Sequence, residues 1–271
     1  MMNQQGKVIL ITGASSGIGR ACALHLASLG HRVYGTSRRP QTEDTGCMML
    51  QMDVTDDASV EMGIQILLER EGRIDVVVNN AGVGYGGSME DTSIEEAKDT
   101  FETNFFGVLR VCRAALPAMR AQGSGTIINV SSIGGQMGLP YQGLYSASKY
   151  AVEGVTESLR MEVKRFGIHV VLLAPGDIRT QFTDNRRSTH AAETNPVYRE
   201  QYLRTLKKIE SDERGGASPE VVARAVARII ASSSPRLRYI VGPFYEKLAV
   251  LVRRIVPSAL FERILMINNS L

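Results

Sequence analysis

The sequence predicts an α/β fold: a doubly wound parallel sheet of about seven strands with helices on both faces. Three observations lead there. Short apolar, β-branched runs alternate along the chain with segments of helical period. The runs are continuously apolar, as strands covered on both faces require. The residue clusters able to do chemistry fall where the runs end, which is where open parallel sheets bind ligands.

Residues 7–11 (Lys-Val-Ile-Leu-Ile) form the first strand and run directly into Thr12-Gly13-Ala14-Ser15-Ser16-Gly17-Ile18-Gly19. Helical periodicity follows to Leu29, with Gly30 placed to cap it. Residues 31–37 and 47–53 read as the second and third strands, and residues 59–70 as a helix. Residues 74–78 are the fourth strand, ending in Asn79-Asn80-Ala81-Gly82. One long helical pattern covers residues 94–122. Residues 125–131 are the fifth strand, 145–166 a helix, and 168–174 the sixth strand, ending at Pro175-Gly176. Ser218-Pro219-Glu220 starts a further helix, with Ser as N-cap and Pro at N1. Residues 238–241 make the seventh strand. No linker or repeat divides residues 1–242, which read as one domain, followed by an extension over residues 243–271.

Apolar residues make up 44% of the 271 and charged residues 22%, enough for a substantial core. The net charge is +3; residues 235–271 hold six basic and two acidic residues, so +4 sits there and −1 on the rest. That leaves no broad basic face for nucleic acid. Cys22, Cys47 and Cys112 are widely spaced and odd in number. They fit neither a disulfide framework nor a metal site, but free thiols in a reducing cytoplasm. With no apolar leader and no apolar run of about 18 residues, neither a signal peptide nor a spanning helix is expected. The expected location is cytoplasmic.

Gly13, Gly17 and Gly19 fall between a strand and a helix. Glycine permits positive φ and close approach of backbone to a ligand. The amides of the following helix face the same place, a natural seat for a pyrophosphate. A tight strand-to-helix turn is the plainer reading of these glycines; the sheet pattern behind them favours binding. Their spacing, Gly-x-x-x-Gly-x-Gly, departs from the common Gly-x-Gly-x-x-Gly fingerprint. The second strand ends Thr36-Ser37-Arg38-Arg39, with no carboxylate for the ribose hydroxyls of NAD. Arg38 can pair with a 2′-phosphate and Ser37 can donate to it, so NADP(H) is expected over NAD(H). Asp53, ending the third strand, can accept from the adenine amine or cap the next helix.

Tyr145 and Lys149 are four residues apart and share a helix face. An ammonium beside a phenol lowers the phenol's pKa and suits it to acid/base work near neutral pH. Taken alone, the pair is also common on ordinary amphipathic helices.

Thr12-Gly-x-x-x-Gly-Ile-Gly19, Asn79-Asn80-Ala81-Gly82, Asn104, Ser132, Tyr145-x-x-x-Lys149 and Pro175-Gly176 together resemble the short-chain dehydrogenase/reductase family over about residues 7–241. The resemblance implies a Rossmann-type domain and hydride exchange between a nicotinamide cofactor and an alcohol/carbonyl pair. It implies Tyr145 as acid/base and Lys149 as the residue that lowers its pKa and holds the nicotinamide ribose. It implies Ser132 as donor to the substrate oxygen, and Asn104 as anchor of a water in a proton relay through Lys149. Ser131 neighbours Ser132, and period-two alternation lets only one hydroxyl reach the site. Asn-Phe-Phe-Gly, starting at Asn104, is a poor helical sequence that needs a reason. Cofactor contacts are implied at Gly13, Ser15, Ser16, Gly17, Ile18, Gly19, Ser37, Arg38, Asp53, Val54, Asn80, Ala81 and Gly82. Around the nicotinamide they are Tyr145, Lys149, Pro175, Gly176, Ile178 and Thr180. No metal is expected. Family members form homodimers or homotetramers through the helices holding Asn104 and Tyr145.

Residues 181–217 are polar, with Tyr198, Tyr202, Leu206 and Ile209 in a narrow helical stripe, and stand where the family keeps its substrate lid. Residues 243–271 carry Leu248, Leu251, Val252, Ile255, Leu260, Phe261, Ile264 and Leu265 with arginines opposite. The extension is similar to those of members acting on lipophilic steroids, retinoids or lipids. A pocket wall, a subunit contact and a helix lying on a membrane surface all fit it, beside plain packing on its own domain. The expected function is an NADP(H)-dependent oxidoreductase on a small-molecule secondary alcohol or ketone. A non-catalytic NADP-sensing regulator and a membrane-peripheral protein are the alternatives; Ser132, Tyr145 and Lys149, all present, favour the enzyme.

Overall fold

Strand β1 (Val8–Thr12) lies at the centre of a seven-stranded sheet. The structure, a computed structural model, describes residues 6–40, 46–269 and 271. Helix α1 (Gly17–Ser28) returns the chain to β2 (Arg32–Ser37), which leads to β3 (Met48–Gln51). Helix α2 (Asp57–Glu71) then crosses back to β4 (Val76–Asn79) on the other side of β1. After the two-residue strand β5 (Tyr85–Gly86) come α3 (Ile94–Phe101), α4 (Gly107–Gln122), β6 (Gly125–Val130), α5 (Gly143–Val163) and β7 (Ile168–Pro175). The chain finishes through β8 (Arg187–Ser188), α6 (Arg199–Arg214), α7 (Pro219–Ala231), β9 (Arg238–Val241), α8 (Phe244–Ile255) and α9 (Ser258–Asn268). The main sheet runs β3-β2-β1-β4-β6-β7-β9, every pairing parallel.

Alternation along β1 shows the two-sided cover that the apolar runs predict. Val8 and Leu10 face α2, α4 and α5, while Ile9 and Ile11 face α1 and α7. Each such buried aliphatic side chain contributes about 1.5–3 kcal/mol. The strand order reverses between β1 and β4, so the loops after these two strands diverge and open a cleft.

Local chemistry sets the element ends. Asp56, not Asp53, caps α2: its side chain accepts from Ser59 N at 2.8 Å. Ser218 and Pro219 open α7 as expected, although the Ser218 side chain makes no capping bond. The single helix expected over residues 94–122 is instead α3 and α4 joined by a π-helical turn, Glu102–Phe106. The short parallel pair β5–β8 was not legible, because two residues carry no periodicity. Among the described residues, no helix is long and apolar enough to cross a membrane.

Candidate active site

The cleft begins with backbone. Gly13 and Gly17 adopt positive φ, +66° and +54°. A Cβ at Gly13 would lie 2.9 Å from Ala81 Cα, and one at Gly19 only 2.3 Å from the Gly13 carbonyl oxygen. Asn80 braces this turn from β4, its Nδ2 donating to Thr12 O at 3.0 Å and Gly13 O at 3.1 Å. Thr12 Oγ1 accepts in return from Asn80 N and Ala81 N. Ser16 sits at the N-cap of α1 without using its hydroxyl there, and Ser15 is exposed beside it. Helix amides and spare hydroxyls at one spot make an anion seat.

At the end of β2, the Thr36 and Ser37 hydroxyls are buried without hydrogen-bond partners. Orphaned buried hydroxyls call for a ligand or water. Arg38 follows, exposed and without an ion pair among the described residues. These groups fit the ribose and phosphates of a nicotinamide dinucleotide. Asp53 Oδ1 binds its own turn, accepting from Thr55 N at 3.0 Å and Thr55 Oγ1 at 2.8 Å. Val54 turns its side chain into the core, where a Cβ at Gly107 would meet it at 2.9 Å.

Tyr145 and Lys149 share one face of α5, with the Lys149 Nζ 5.7 Å from the Tyr145 ring centroid. Lys149 is buried and donates to Val130 O at 2.9 Å. Burial pushes its pKa down to about 8, offset in part by Glu153. The expected lowering of the Tyr145 pKa by Lys149 is not what this arrangement gives. Burial pushes the phenol up; hydrogen bonding with the Ser132 hydroxyl draws it down, and Glu213, Arg186 and Asp177 add smaller opposed effects. The phenol therefore holds its proton at neutral pH, ready to give it to an oxygen seated between it and Ser132. Ser132 Oγ accepts from Gly134 N at 3.1 Å, while the Ser131 hydroxyl turns the other way, toward Gly135.

Asn104 occupies the π-helical turn, which accounts for its poor helical sequence; such turns frequently mark functional sites. Its amide is engaged at both ends by protein groups. Oδ1 accepts from Val83 N at 2.8 Å, and Nδ2 donates to Val83 O and Ser148 Oγ, both at 3.0 Å. Both amide protons are thus spent on protein, so the water-anchoring role is left only the second Oδ1 lone pair. Here Asn104 ties the loop after β4 to α5.

Residues 181–217 close over this site. The Phe182 ring lies 5.8 Å from that of Tyr145, and the Arg186 guanidinium 5.8 Å from Phe182. Arg186 pairs with Glu213 on α6, both largely buried. Tyr202 is fully buried, its OH 2.8 Å from Ser188 Oγ. Gly84 and Gly87 leave room for Phe182 and Thr189, each of which a Cβ would strike, at 2.8 Å and 2.1 Å. Thr180 packs on the loop after β1, where a Cβ at Gly17 would lie 3.2 Å away, and Ile178 is buried against Ala217. The extension seats Val250 and Phe261 on Met137 in the loop after Ser132. Sequence reasoning missed Phe182, Arg186, Glu213 and Glu246, whose roles depend on partners distant in the chain. It also missed the buried Asn79–Asn129–Thr156 chain behind the site, bonded at 2.8 and 2.9 Å.

The family model described as short chain dehydrogenase matches residues 7–191. The chain belongs to the short-chain dehydrogenase/reductase family. It is therefore an oxidoreductase of the alcohol/carbonyl class on a fold that binds a nicotinamide cofactor. Among relatives, it is 46% identical to a 3-ketodihydrosphingosine reductase of Bacteroides thetaiotaomicron over 95% of this chain and 96% of that one. A short-chain dehydrogenase from Streptomyces avermitilis superposes with a TM-score of 0.83 at 35% identity, covering 93% of each chain. A family member from Burkholderia phymatum in complex with NAD gives 0.78 at 27% identity, covering 94% of this chain and 95% of that one.

Proposed function

We propose that this chain is an NADPH-dependent reductase of a long-chain, lipid-like ketone. The observation that carries it is the Tyr145 phenol set against Ser132 and the Phe182 ring, where burial raises its pKa and favours the protonated form. The nicotinamide cofactor, when bound, supplies the hydride. Ser132 donates to the carbonyl oxygen and Tyr145 delivers the proton that makes it an alcohol. Phe182 and the 181–217 cover exclude water, Lys149 holds the nicotinamide side, and Asn104 ties its helix to the loop after β4. Gly13, Ser16, Ser37, Arg38 and Asn80 hold the adenosine side. The preference for NADPH rests on Arg38 and the unpartnered Ser37 hydroxyl, with no carboxylate at the end of β2. The lipid-like substrate rests on the named activity of the Bacteroides relative and on the apolar extension beside Ser132. Purified protein given 3-ketodihydrosphingosine, then short polar ketones, with NADPH and then NADH, tests it by loss of nicotinamide absorbance. Turnover of only small polar carbonyls refutes the lipid reading.

The extension also favours a membrane-surface contact. Phe244, Leu251, Ile255 and Ile267 are more than half exposed. Lys247, Arg254 and Arg263 lie exposed among them without an ion pair among the described residues. Apolar groups ringed by unpaired cations fit an anionic bilayer. Sedimentation with anionic vesicles, abolished in Leu251→Glu, is the expected result. Phe106, beside Asn104, and Tyr150 and Met161 on α5 are exposed apolar residues that support subunit contact, which equilibrium sedimentation reads.

A further inference from the structure

Glu246 lies in the extension, beyond the last strand, yet is only 4% exposed. A glutamate on a terminal amphipathic helix ordinarily faces solvent. Its Oε1 accepts from the Asp177 backbone N–H at 2.8 Å. Its Oε2 is buried without a well-formed hydrogen bond and fills the space a side chain at residue 176 would take. A Cβ on Gly176 would lie 1.6 Å from that oxygen, and one on Gly242 2.6 Å. Glycine at both positions is therefore what admits the carboxyl group.

These contacts fall on the segment that carries Pro175, Gly176, Ile178 and Thr180. β9 holds it through Gly176 N to Val241 O at 2.8 Å. The end of the cover holds it through Arg179 N to Ala217 O and Ala217 N to Asp177 O, each 2.9 Å. Glu246 is the third hold, and it comes from α8. We propose that Glu246 is a positioning residue, setting the Gly176–Thr180 segment against the nicotinamide end of the cofactor through Asp177 N and Gly176. The proposal rests on the nicotinamide reading of the site.

The surroundings make this hold sensitive to charge. Asp177 faces Glu246 from the loop, Asp212 and Glu213 add negative charge from α6, Lys208 is the cation there, and Tyr245 adjoins on α8. Burial and these neighbours push the Glu246 carboxyl up to about 8, so it is protonated at neutral pH. Ionisation sets the buried Glu246 carboxylate against that of half-buried Asp177 and loosens the hold.

The test is NADPH affinity, read by the fluorescence gain of bound NADPH across pH 6 to 9 for wild type, Glu246→Ala and Glu246→Gln. Glutamine keeps the acceptor for Asp177 N and the shape, and cannot ionise. At pH 7, Glu246→Ala is expected to bind NADPH about tenfold more weakly, the cost of one orphaned buried N–H, with Glu246→Gln near wild type. As pH rises through about 8, wild-type affinity falls more than that of Glu246→Gln. Lys149 titrates in the same range in both proteins, so the difference reports Glu246. Superimposable pH curves for wild type and Glu246→Gln overturn the proposal, whether or not Glu246→Ala folds. A folded Glu246→Ala that binds like wild type does the same. Failure of wild type to bind any nicotinamide cofactor overturns the site reading and this proposal together.

Discussion

The loop after β1 and the cover over Tyr145 touch where Thr180 packs on Gly17, yet they are made of different material. The loop is backbone: two glycines at positive φ, a helix N-terminus, and Asn80 bonded to the carbonyls of Thr12 and Gly13. The cover is side chain: Phe182 on Tyr145, Arg186 paired with Glu213, and Tyr202 on Ser188, with Glu246 of α8 behind it filling the place of a residue-176 side chain. A backbone cradle fits phosphates and ribose common to many dinucleotides and demands little beyond glycine. Side-chain walls assembled from distant segments are where one substrate is told from another.

That division yields a graded set of expectations. Ser132→Ala removes a donor aimed at the reacting oxygen and should lower kcat by about 10²–10³, with NADPH affinity intact. A comparable loss of cofactor affinity would place Ser132 in the cradle instead. Arg38→Ala should weaken NADPH binding by about 10–100-fold and leave NADH unchanged, as loss of a charge-assisted bond to a phosphate does. Equal losses for both cofactors would remove the 2′-phosphate contact. Phe182→Ala should raise KM for a long-chain ketone about tenfold while sparing a short one, because only the former covers the ring. Equal effects on both would make Phe182 a structural residue alone.

The smallest effect concerns stability. Glu246 titrates higher in the folded chain, at about 8, than the ordinary 4.5. The folded state then binds more protons between those values, so this group's stabilising share is full below about 4.5 and is lost as pH rises through about 8. Melting temperatures of wild type should fall across that window relative to Glu246→Gln. Parallel curves would show that the carboxyl titrates alike in both states.

The same contrast governs what the sequence discloses. Gly13, Gly17 and Gly19 announce themselves because a strand, a glycine turn and a helix N-terminus are contiguous, and the strand pattern placed all seven strands of the main sheet. The 3.6-residue period puts Tyr145 and Lys149 on one face, whereas the weak helical stretch at Asn104 shows an anomaly without disclosing the π turn that explains it. Phe182, Glu213 and Glu246 carry no such signal: each acquires meaning from a partner tens of residues away. The Tyr145 pKa was misjudged for a related reason. Pair spacing reports the neighbouring ammonium, whereas burial dominates. Asp53 was a plausible cap by position, and Asp56, three residues nearer the helix, took the bond.

The central claim is that a protonated phenol at Tyr145 delivers the proton in a nicotinamide-dependent carbonyl reduction. Turnover and NADPH binding measured side by side on Tyr145→Phe test it most directly. The account predicts a fall in kcat of about 10²–10⁴ with NADPH affinity unchanged. Turnover near the wild-type rate, in a protein that still binds NADPH, would contradict it.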